Sequence, residues 1–143
     1  MPHIVTPETL PAILLGLEYT NYNGIPAVSG RGLFTGKNLI IPRYSPEGEV
    51  VKLLGPDAFR SDVVLESIVL PEGLTAIDVA ALFGCAQLKY IVIPSTVTLI
   101  DVPGFLDCNS LTDIYIDQPE GTLSGAPWNA DNATIHWNSK GPQ

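Results

Sequence analysis

The stretch "LKYIVIPSTVTLIDVPGFLDCNS", residues 88–110, decides the fold, because the preceding 23 residues, "LESIVLPEGLTAIDVAALFGCAQ", repeat it in register. A fixed period of about 20–50 residues is typical of an array of stacked units. The leucines at positions 65, 88 and 111 set the period at 23. The other apolar positions that recur are Ile68, Ile91 and Ile114; Leu70, Ile93 and Ile116; Leu74 and Val97; Ile77 and Ile100; and Phe59, Leu82, Phe105 and Trp128.

Each unit begins with an alternating L-x-x-I-x-I segment, which is typical of a short strand with one face inward. Pro71 and Pro94 end two of these strands because proline cannot donate to a ladder. The following "DVAALFGC" and "DVPGFLDC" predict a turn that places one large side chain in the core. A single unit cannot bury its apolar edge alone. We therefore predict an α/β repeat fold, a short solenoid with a parallel sheet on one face and turns or short helical turns on the other.

The pattern L-x-x-I-x-I-P-x-x-V-x-x-I-x-x-x-x-F-x-x-C resembles the BspA-type leucine-rich repeat of bacterial and some protozoal surface proteins. Residues 88–108 match it almost throughout, and residues 65–85 match it with Leu82 in place of Phe. The resemblance spans roughly residues 39–137. It departs at Asp78 and Asp101, where Gly is usual. The resemblance implies a leucine-rich-repeat solenoid, a role in adhesion or protein binding, and cysteines that act as core fillers.

The weaker pattern at both ends predicts capping segments, because terminal repeats must cover the edge of the core. Residues 1–38 are expected to form an N-terminal cap or attachment segment, and residues 39–143 the solenoid, closed by a C-terminal cap at 119–143. The "ETLPAILLGLEY" stretch is expected to pack on the first coil or to dock on another subunit. Trp128 and Trp137 are expected to close the open core, although either could stack on a sugar.

The charge is uneven along the 143 residues, whose net charge is −8. Residues 61–143 hold only Lys89 and Lys140 against ten acids. The chain therefore lacks the basic footprint that a nucleic-acid partner requires. The acidity favours solubility, with a basic partner as the alternative. The apolar run "AILLGL" is too short to span a membrane or to form a signal core, so use without Sec export is expected.

Two pairs of ionisable side chains, one of cysteines and one of aspartates, recur one period apart. Cys85 and Cys108 are expected to be buried thiols, although adjacent coils would also bring them within range of a disulfide. Asp78 and Asp101 are expected to bond nearby backbone N–H groups in Asx turns. A shared cation such as calcium is the alternative, but it would need six or more oxygens, and the flanking residues supply few. We predict no metal and no cofactor.

Tyr90, Val92, Asp113, Tyr115 and His136 are the candidate binding residues. Strand alternation places them outward on the sheet, and His136 is expected in one column with Asp113, one period away. An aromatic-rich, lightly charged patch is typical of an interface centre, although strands favour such residues anyway. Grouping Ser67, Asp113 and His136 as a hydrolase triad is a remote alternative, since these residues would lie on successive coils of a flat surface.

These observations predict a non-catalytic protein-binding or structural module rather than an enzyme. The absence of an export signal favours a phage virion component, such as a head-decoration, fibre or receptor-binding subunit, and a homo-oligomer is expected. Its partners would be virion subunits or a receptor on the host cell surface, without membrane insertion. The alternative is a bacterial cell-surface adhesin-type protein or an intracellular interaction protein of the same fold.

Overall fold

Ten short strands follow one another along residues 15–142, the part of the chain that the computed structural model describes. Between the strands the chain forms turns, and the predicted solenoid is confirmed. The strands are β1 (Glu18–Tyr22), β2 (Ile25–Gly30), β3 (Asn38–Ile40), β4 (Leu53–Leu54), β5 (Ser67–Val69), β6 (Ala76–Ile77), β7 (Tyr90–Ile93), β8 (Leu99–Ile100), β9 (Asp113–Ile116) and β10 (Thr134–Trp137).

The five strands that begin the coils form one parallel sheet in the order β10-β9-β7-β5-β3. We call it the parallel sheet. Its register follows the 23-residue repeat at the centre, where Ile68 pairs with Ile91 and Ile91 with Ile114. The coil between Asn38 and Ser67 is longer, at 29 residues. Its extra residues include an excursion closed by an antiparallel bridge between Tyr44 and Val50.

The other five strands form a second sheet in the order β1-β2-β4-β6-β8, which we call the mixed sheet. The strands β4, β6 and β8 have two residues each and pair in parallel one period apart. A strand of two residues shows no alternation, so the sequence predicted only inward-facing apolar residues here. The predicted turns are confirmed between β6 and β7, where Ala81 and Phe83 donate to the carbonyls three residues earlier.

The described part of the N-terminal segment, residues 15–38, contains an antiparallel hairpin formed by β1 and β2. Its second strand pairs in parallel with β4, so the hairpin extends the mixed sheet. The strand β3 begins at Asn38, at the boundary that the sequence suggested between cap and solenoid. That boundary stays a prediction, and most of the "ETLPAILLGLEY" stretch lies outside the described residues.

The core is one continuous stack of the recurring apolar side chains. Leu65, Leu88 and Leu111 are at most 2% exposed, and the isoleucines 68, 91 and 114 are fully buried. All six belong to one core cluster that extends over successive coils, so neighbouring coils share their interior. Full burial of such a side chain contributes about 1.5–3 kcal/mol. The remaining members of the predicted series are also buried: Leu70, Ile93, Ile116, Phe59, Leu82, Phe105, Trp128, Leu74, Val97, Ile77 and Ile100.

An aspartate fixes the start of the solenoid to the N-terminal segment. Arg31 donates to both carboxylate oxygens of Asp62, at 2.8 and 3.0 Å, and also to the carbonyls of Phe34 and Gly36. Asp62 in turn accepts from the backbone N–H groups of Val64 and Leu65. Burial alone would raise the pKa of Asp62, but the bonds from Arg31 and the backbone outweigh it and hold the pKa below its usual value.

We expect Ile91→Asp or Ile93→Asp to unfold the solenoid, because each substitution places an unpaired charge in a fully buried position of the shared core. The expected loss in the free energy of unfolding is more than about 4 kcal/mol, measured by urea denaturation and circular dichroism. Val63→Asp is the control, since Val63 is 61% exposed. Similar stability of the two variants would contradict the inward assignment of β7.

Arg31→Gln should lower the free energy of unfolding by about 2–4 kcal/mol, because it leaves the Asp62 carboxylate without its bidentate partner. Arg60→Gln is the control, since the Arg60–Asp57 pair is exposed, and about 1 kcal/mol or less is expected. The folded-state pKa of Asp62 is lowered, so its stabilisation is present above the unfolded pKa of about 3.9 and is lost as the pH falls through the folded value. Equal acid sensitivity of wild type and Arg31→Gln would contradict this role.

Candidate functional site

The candidate binding residues lie on the outward side of the parallel sheet, which we call the outer sheet face. Side chains at alternate positions of its five strands form two neighbouring columns along the solenoid, because adjacent strands lie about 4.8 Å apart. The first column contains Asn38, Ser67, Tyr90, Asp113 and Thr134, and the second contains Ile40, Val69, Val92, Tyr115 and His136.

His136 lies in the second column, and the prediction that it shares a column with Asp113 is wrong. The strand β10 pairs with β9 so that His136 is opposite Tyr115 and Thr134 is opposite Asp113. The last coil is therefore 21 residues long, two fewer than the repeat. The turns of the closing segment at 119–133 follow no repeat pattern, which is why the spacing could not be read from the period. Both columns face outward, so His136 still reaches the candidate patch.

Three aromatic rings form a continuous row across β7, β9 and β10. The His136 ring stacks on Tyr115 with centroids 4.5 Å apart and planes 12° apart. Tyr115 contacts Tyr90 edge to face, with centroids at 6.0 Å. Such pairs contribute about 0.5–1.5 kcal/mol beyond burial. The three side chains are half-buried, and each limits the rotation of its neighbour. The row is therefore a rigid aromatic surface that remains accessible.

Asp113 connects the row to the first column. Its carboxylate lies 2.8 Å from Nε2 of His136 and also accepts a 2.8 Å bond from the Thr112 hydroxyl. The bond with His136 and then the bond from Thr112 hold the pKa of Asp113 below its usual value. Both partners of the His136–Asp113 pair have 36% exposed side chains, so the pair orients the rings and contributes little stability. Partial desolvation and the carboxylate of Asp113 raise the pKa of Tyr115.

Val92 belongs to the outward column, but the prediction that it is exposed is wrong, since only 7% of its surface is accessible. After β10 the chain turns, and Gly141 lies over Val92. A Cβ built on Gly141 would be 3.5 Å from a Val92 methyl group, and the positive φ of 131° at Gly141 favours glycine. The segment 138–142 therefore covers part of the outer sheet face beside Tyr115.

Charged side chains border the face where the strands begin. Glu66 lies between Lys37 at 3.7 Å and Lys89 at 3.1 Å, one residue on each of three successive coils. The bond with Lys89 is the main cause of a lowered pKa at Glu66. Exposed ion pairs of this kind contribute little to stability. Two lysines share one glutamate, so this edge of the face retains one net positive charge.

The structure does not assemble the residues of the remote hydrolase alternative. Ser67 is 3% exposed and donates to Asn38 at 2.8 Å. Tyr90 lies between Ser67 and Asp113 in the ladder, so two strand spacings, roughly 10 Å, separate the hydroxyl from the His136–Asp113 pair. Within residues 15–142 there is also no group of three or more acidic, histidine or cysteine side chains that could hold a metal ion.

The paired cysteines and aspartates have local roles. Cys85 and Cys108 are buried free thiols, and each donates to a carbonyl of the preceding coil, Phe59 or Leu82, at 3.0 and 3.1 Å. The Cys108 thiol and burial raise the pKa of Cys85. The carboxylates of Asp78 and Asp101 each accept a 2.7 Å bond from the next backbone N–H. The predicted bonding to nearby backbone is therefore present, but it involves the next residue and not the residue two positions on that defines an Asx turn.

The two tryptophans close the core at its C-terminal end. Trp128 is 5% exposed, packs edge to face on Phe105 at 6.4 Å, and donates from its indole to the carbonyl of Ser124. Trp137 is half-buried beside it, with centroids 6.3 Å apart. The expected core-closing role is therefore visible for Trp128, whose ring faces the interior.

A family model for the BspA type leucine-rich repeat region, with six copies, matches residues 46–125. The chain belongs to the BspA-type leucine-rich repeat family. Comparisons with curated proteins and with solved structures give no match. A leucine-rich-repeat solenoid is typically a non-catalytic binding scaffold, and such domains generally mediate protein–protein interaction. This BspA-type chain is therefore a protein-interaction or surface module by family. Within residues 15–142, no helix has the length and apolar character needed to cross a membrane.

Two contributors to the outer sheet face were not predicted. Thr112 orients Asp113, and its position directly before the strand is a signal that could have been noticed. The segment 138–142 covers Val92, but a contact between the end of the chain and a strand some 50 residues earlier has no local signature. The Ser-Lys-Gly sequence at 139–141 indicates only that the chain turns there.

His136→Phe should raise the pKa of Asp113 toward its usual value, because it retains a ring for stacking on Tyr115 but removes the hydrogen bond. Carbon-13 NMR of the Asp113 carboxyl group measures the change. Thr112→Val is the matched variant, and it should raise the pKa by less, since the His136 bond is the larger cause. An unchanged titration of Asp113 in His136→Phe would contradict the pairing.

Proposed function

We propose that this chain is a non-catalytic protein-binding module that contacts its partner through the outer sheet face. The proposal rests mainly on the row Tyr90–Tyr115–His136, whose rings hold one another in place while remaining accessible. Tyrosine is among the residues that contribute most to the binding free energy at interfaces. Its contribution is largest where the side chains are already ordered before binding. Because the three rings are already held in place, their side chains would lose little rotational entropy when a partner binds.

The surroundings of the row support a contact with protein rather than with a polyanion or a small molecule. The Lys37–Glu66–Lys89 edge has one net positive charge and the patch contains the acidic Asp113, so the face as a whole carries little net charge. A sheet surface of this kind offers broad contact area and a few oriented polar groups. Hydrophobic rings at the centre with polar side chains at the border form the usual anatomy of a protein interface.

Photo-crosslinking tests the proposal in the organism that makes the protein. Tyr90 and Tyr115 are replaced, one at a time, by p-benzoylphenylalanine, and Val63, which is 61% exposed, is the control position. We expect a crosslink to one defined protein from positions 90 and 115 but not from 63. Crosslinking from all three positions to the same mixture, or from none, would contradict a binding face here.

Tyr90→Ala should leave the fold intact and weaken binding of the crosslinked partner about tenfold or more, because interface tyrosines often contribute more than about 1.4 kcal/mol. Calorimetric titration measures the affinity, and circular dichroism checks the fold. The control is Tyr44→Ala, since Tyr44 is an exposed tyrosine on another part of the surface. An affinity that does not respond to Tyr90→Ala would move the binding site elsewhere.

We further propose that the partner belongs to a phage particle, where this module would act as a head-decoration, fibre or receptor-binding subunit. What supports this is the surface-type repeat and a rigid face suited to a fixed neighbour. Light scattering and particle association test it: the expected result is an oligomer or a particle-bound protein. A strict monomer that binds neither a virion nor a cell surface would contradict it, and binding to the cell envelope alone would favour the adhesin-type alternative.

A further inference from the structure

A groove of about 350 Å³ lies at the C-terminal end of the solenoid, away from the outer sheet face. It is formed by the turn that follows β8 and by the turn before Trp128. We call it the terminal groove and define it by the side chains that give it its chemistry, which are Asp101, Val102, Pro103, Pro127, Asn129 and Asp131. Its floor is rigid, because a Cβ on Gly104 would lie 2.5 Å from the Trp128 carbonyl oxygen, so the two turns are in close contact.

Apolar side chains are exposed along one wall of the terminal groove. Val102 is 71% exposed, and Leu99 in the same coil is 50% exposed. One coil earlier, Val79 occupies the position equivalent to Val102 and is 43% exposed, and the hydrogen bond from Ala80 to the Val102 carbonyl holds the two coils side by side. A single exposed valine is ordinary, but Val79 and Val102 lie on adjacent coils, with Val102 at the groove, and such an apolar strip is typical of an interaction site.

The charge of the terminal groove is negative and is not neutralised by any ion pair among the residues that the structure describes. Asp101 accepts from the Val102 N–H through one carboxylate oxygen, and its side chain lines the groove while remaining partly exposed. Asp131 is exposed on the opposite wall. None of the five ion pairs among residues 15–142 involves either acid. The cation nearest in sequence to Asp101 is Lys89, which is bonded to Glu66.

From these observations we infer that the terminal groove is a second docking site, which takes a segment of a partner protein carrying a lysine or arginine next to an apolar side chain. The apolar strip would bury the apolar residue, and the two carboxylates would pair with the cation. Charge complementarity selects this occupant, because an acidic segment would be repelled. A divalent cation fits less well, since the described residues include no cluster of three ligands. This site is independent of the outer sheet face, so either can fail alone.

A two-dimensional ¹⁵N NMR titration of the intact protein with short synthetic peptides tests the inference. The probe is a peptide of alternating Lys and Leu, and the controls are the same length with Lys and Ser or with Glu and Leu. We expect saturable shifts at the amides of Val102, Gly104 and Asn129 with the first peptide only. Shifts with the Lys–Ser peptide of equal size would indicate charge alone and would overturn the apolar part of the site.

The double substitution Asp101→Asn and Asp131→Asn should weaken binding of the Lys–Leu peptide about fivefold or more. Asparagine keeps the oxygen that accepts from the Val102 N–H, so the turn is preserved while the charge is removed. The matched control is Glu120→Gln combined with Asp117→Asn, which removes the same charge outside the groove. Equal weakening by both pairs would overturn the site, and so would a calcium titration that shifts the same amides at lower concentration than the peptide does.

Discussion

The whole structure depends on the fact that no coil can bury its own apolar edge. Leu65, Leu88 and Leu111 form one column because each fills the space left by the leucines above and below it. The hydrogen bonds that run between coils have the same spacing, so packing and backbone pairing reinforce each other. This shared interior explains why the apolar positions recur so strictly and why the outward positions do not.

Because of the same constraint, the two ends of the stack would leave apolar side chains without a neighbouring coil. The chain covers each end in a different way. At the start, the hairpin of β1 and β2 extends the mixed sheet, and Arg31 fastens the nearby chain to Asp62. At the other end, Trp128 covers the interior, and the buried side chain of Gln118 donates to the carbonyls of Pro94 and Val97. This side-chain amide ties the chain after β9 to the turn between β7 and β8.

The period therefore carries most of the information that the sequence offers about this fold. The inward residues, the strand positions and the parallel pairing could be predicted from the spacing of Leu65, Leu88 and Leu111. The mixed sheet could not, because strands of two residues leave no alternation to recognise. The length of the final coil, 21 residues, could not be predicted either. The period therefore placed His136 opposite Asp113, whereas His136 pairs with Tyr115 in the ladder. The burial of Val92 was not predicted, because the segment 138–142 that covers it is distant in the sequence.

The candidate site consists of outward residues that differ from coil to coil on a framework that repeats. Strand pairing holds outward side chains of successive coils about 4.8 Å apart, which is close to the distance at which aromatic rings interact. Two neighbouring coils with aromatic outward residues therefore produce a packed pair without any further adjustment, as Tyr115 and His136 do. The equivalent position one coil earlier is Val92, where the chain covers the surface instead. The extent of the aromatic row is thus set by side-chain identity at each coil, while its spacing and rigidity come from the shared core.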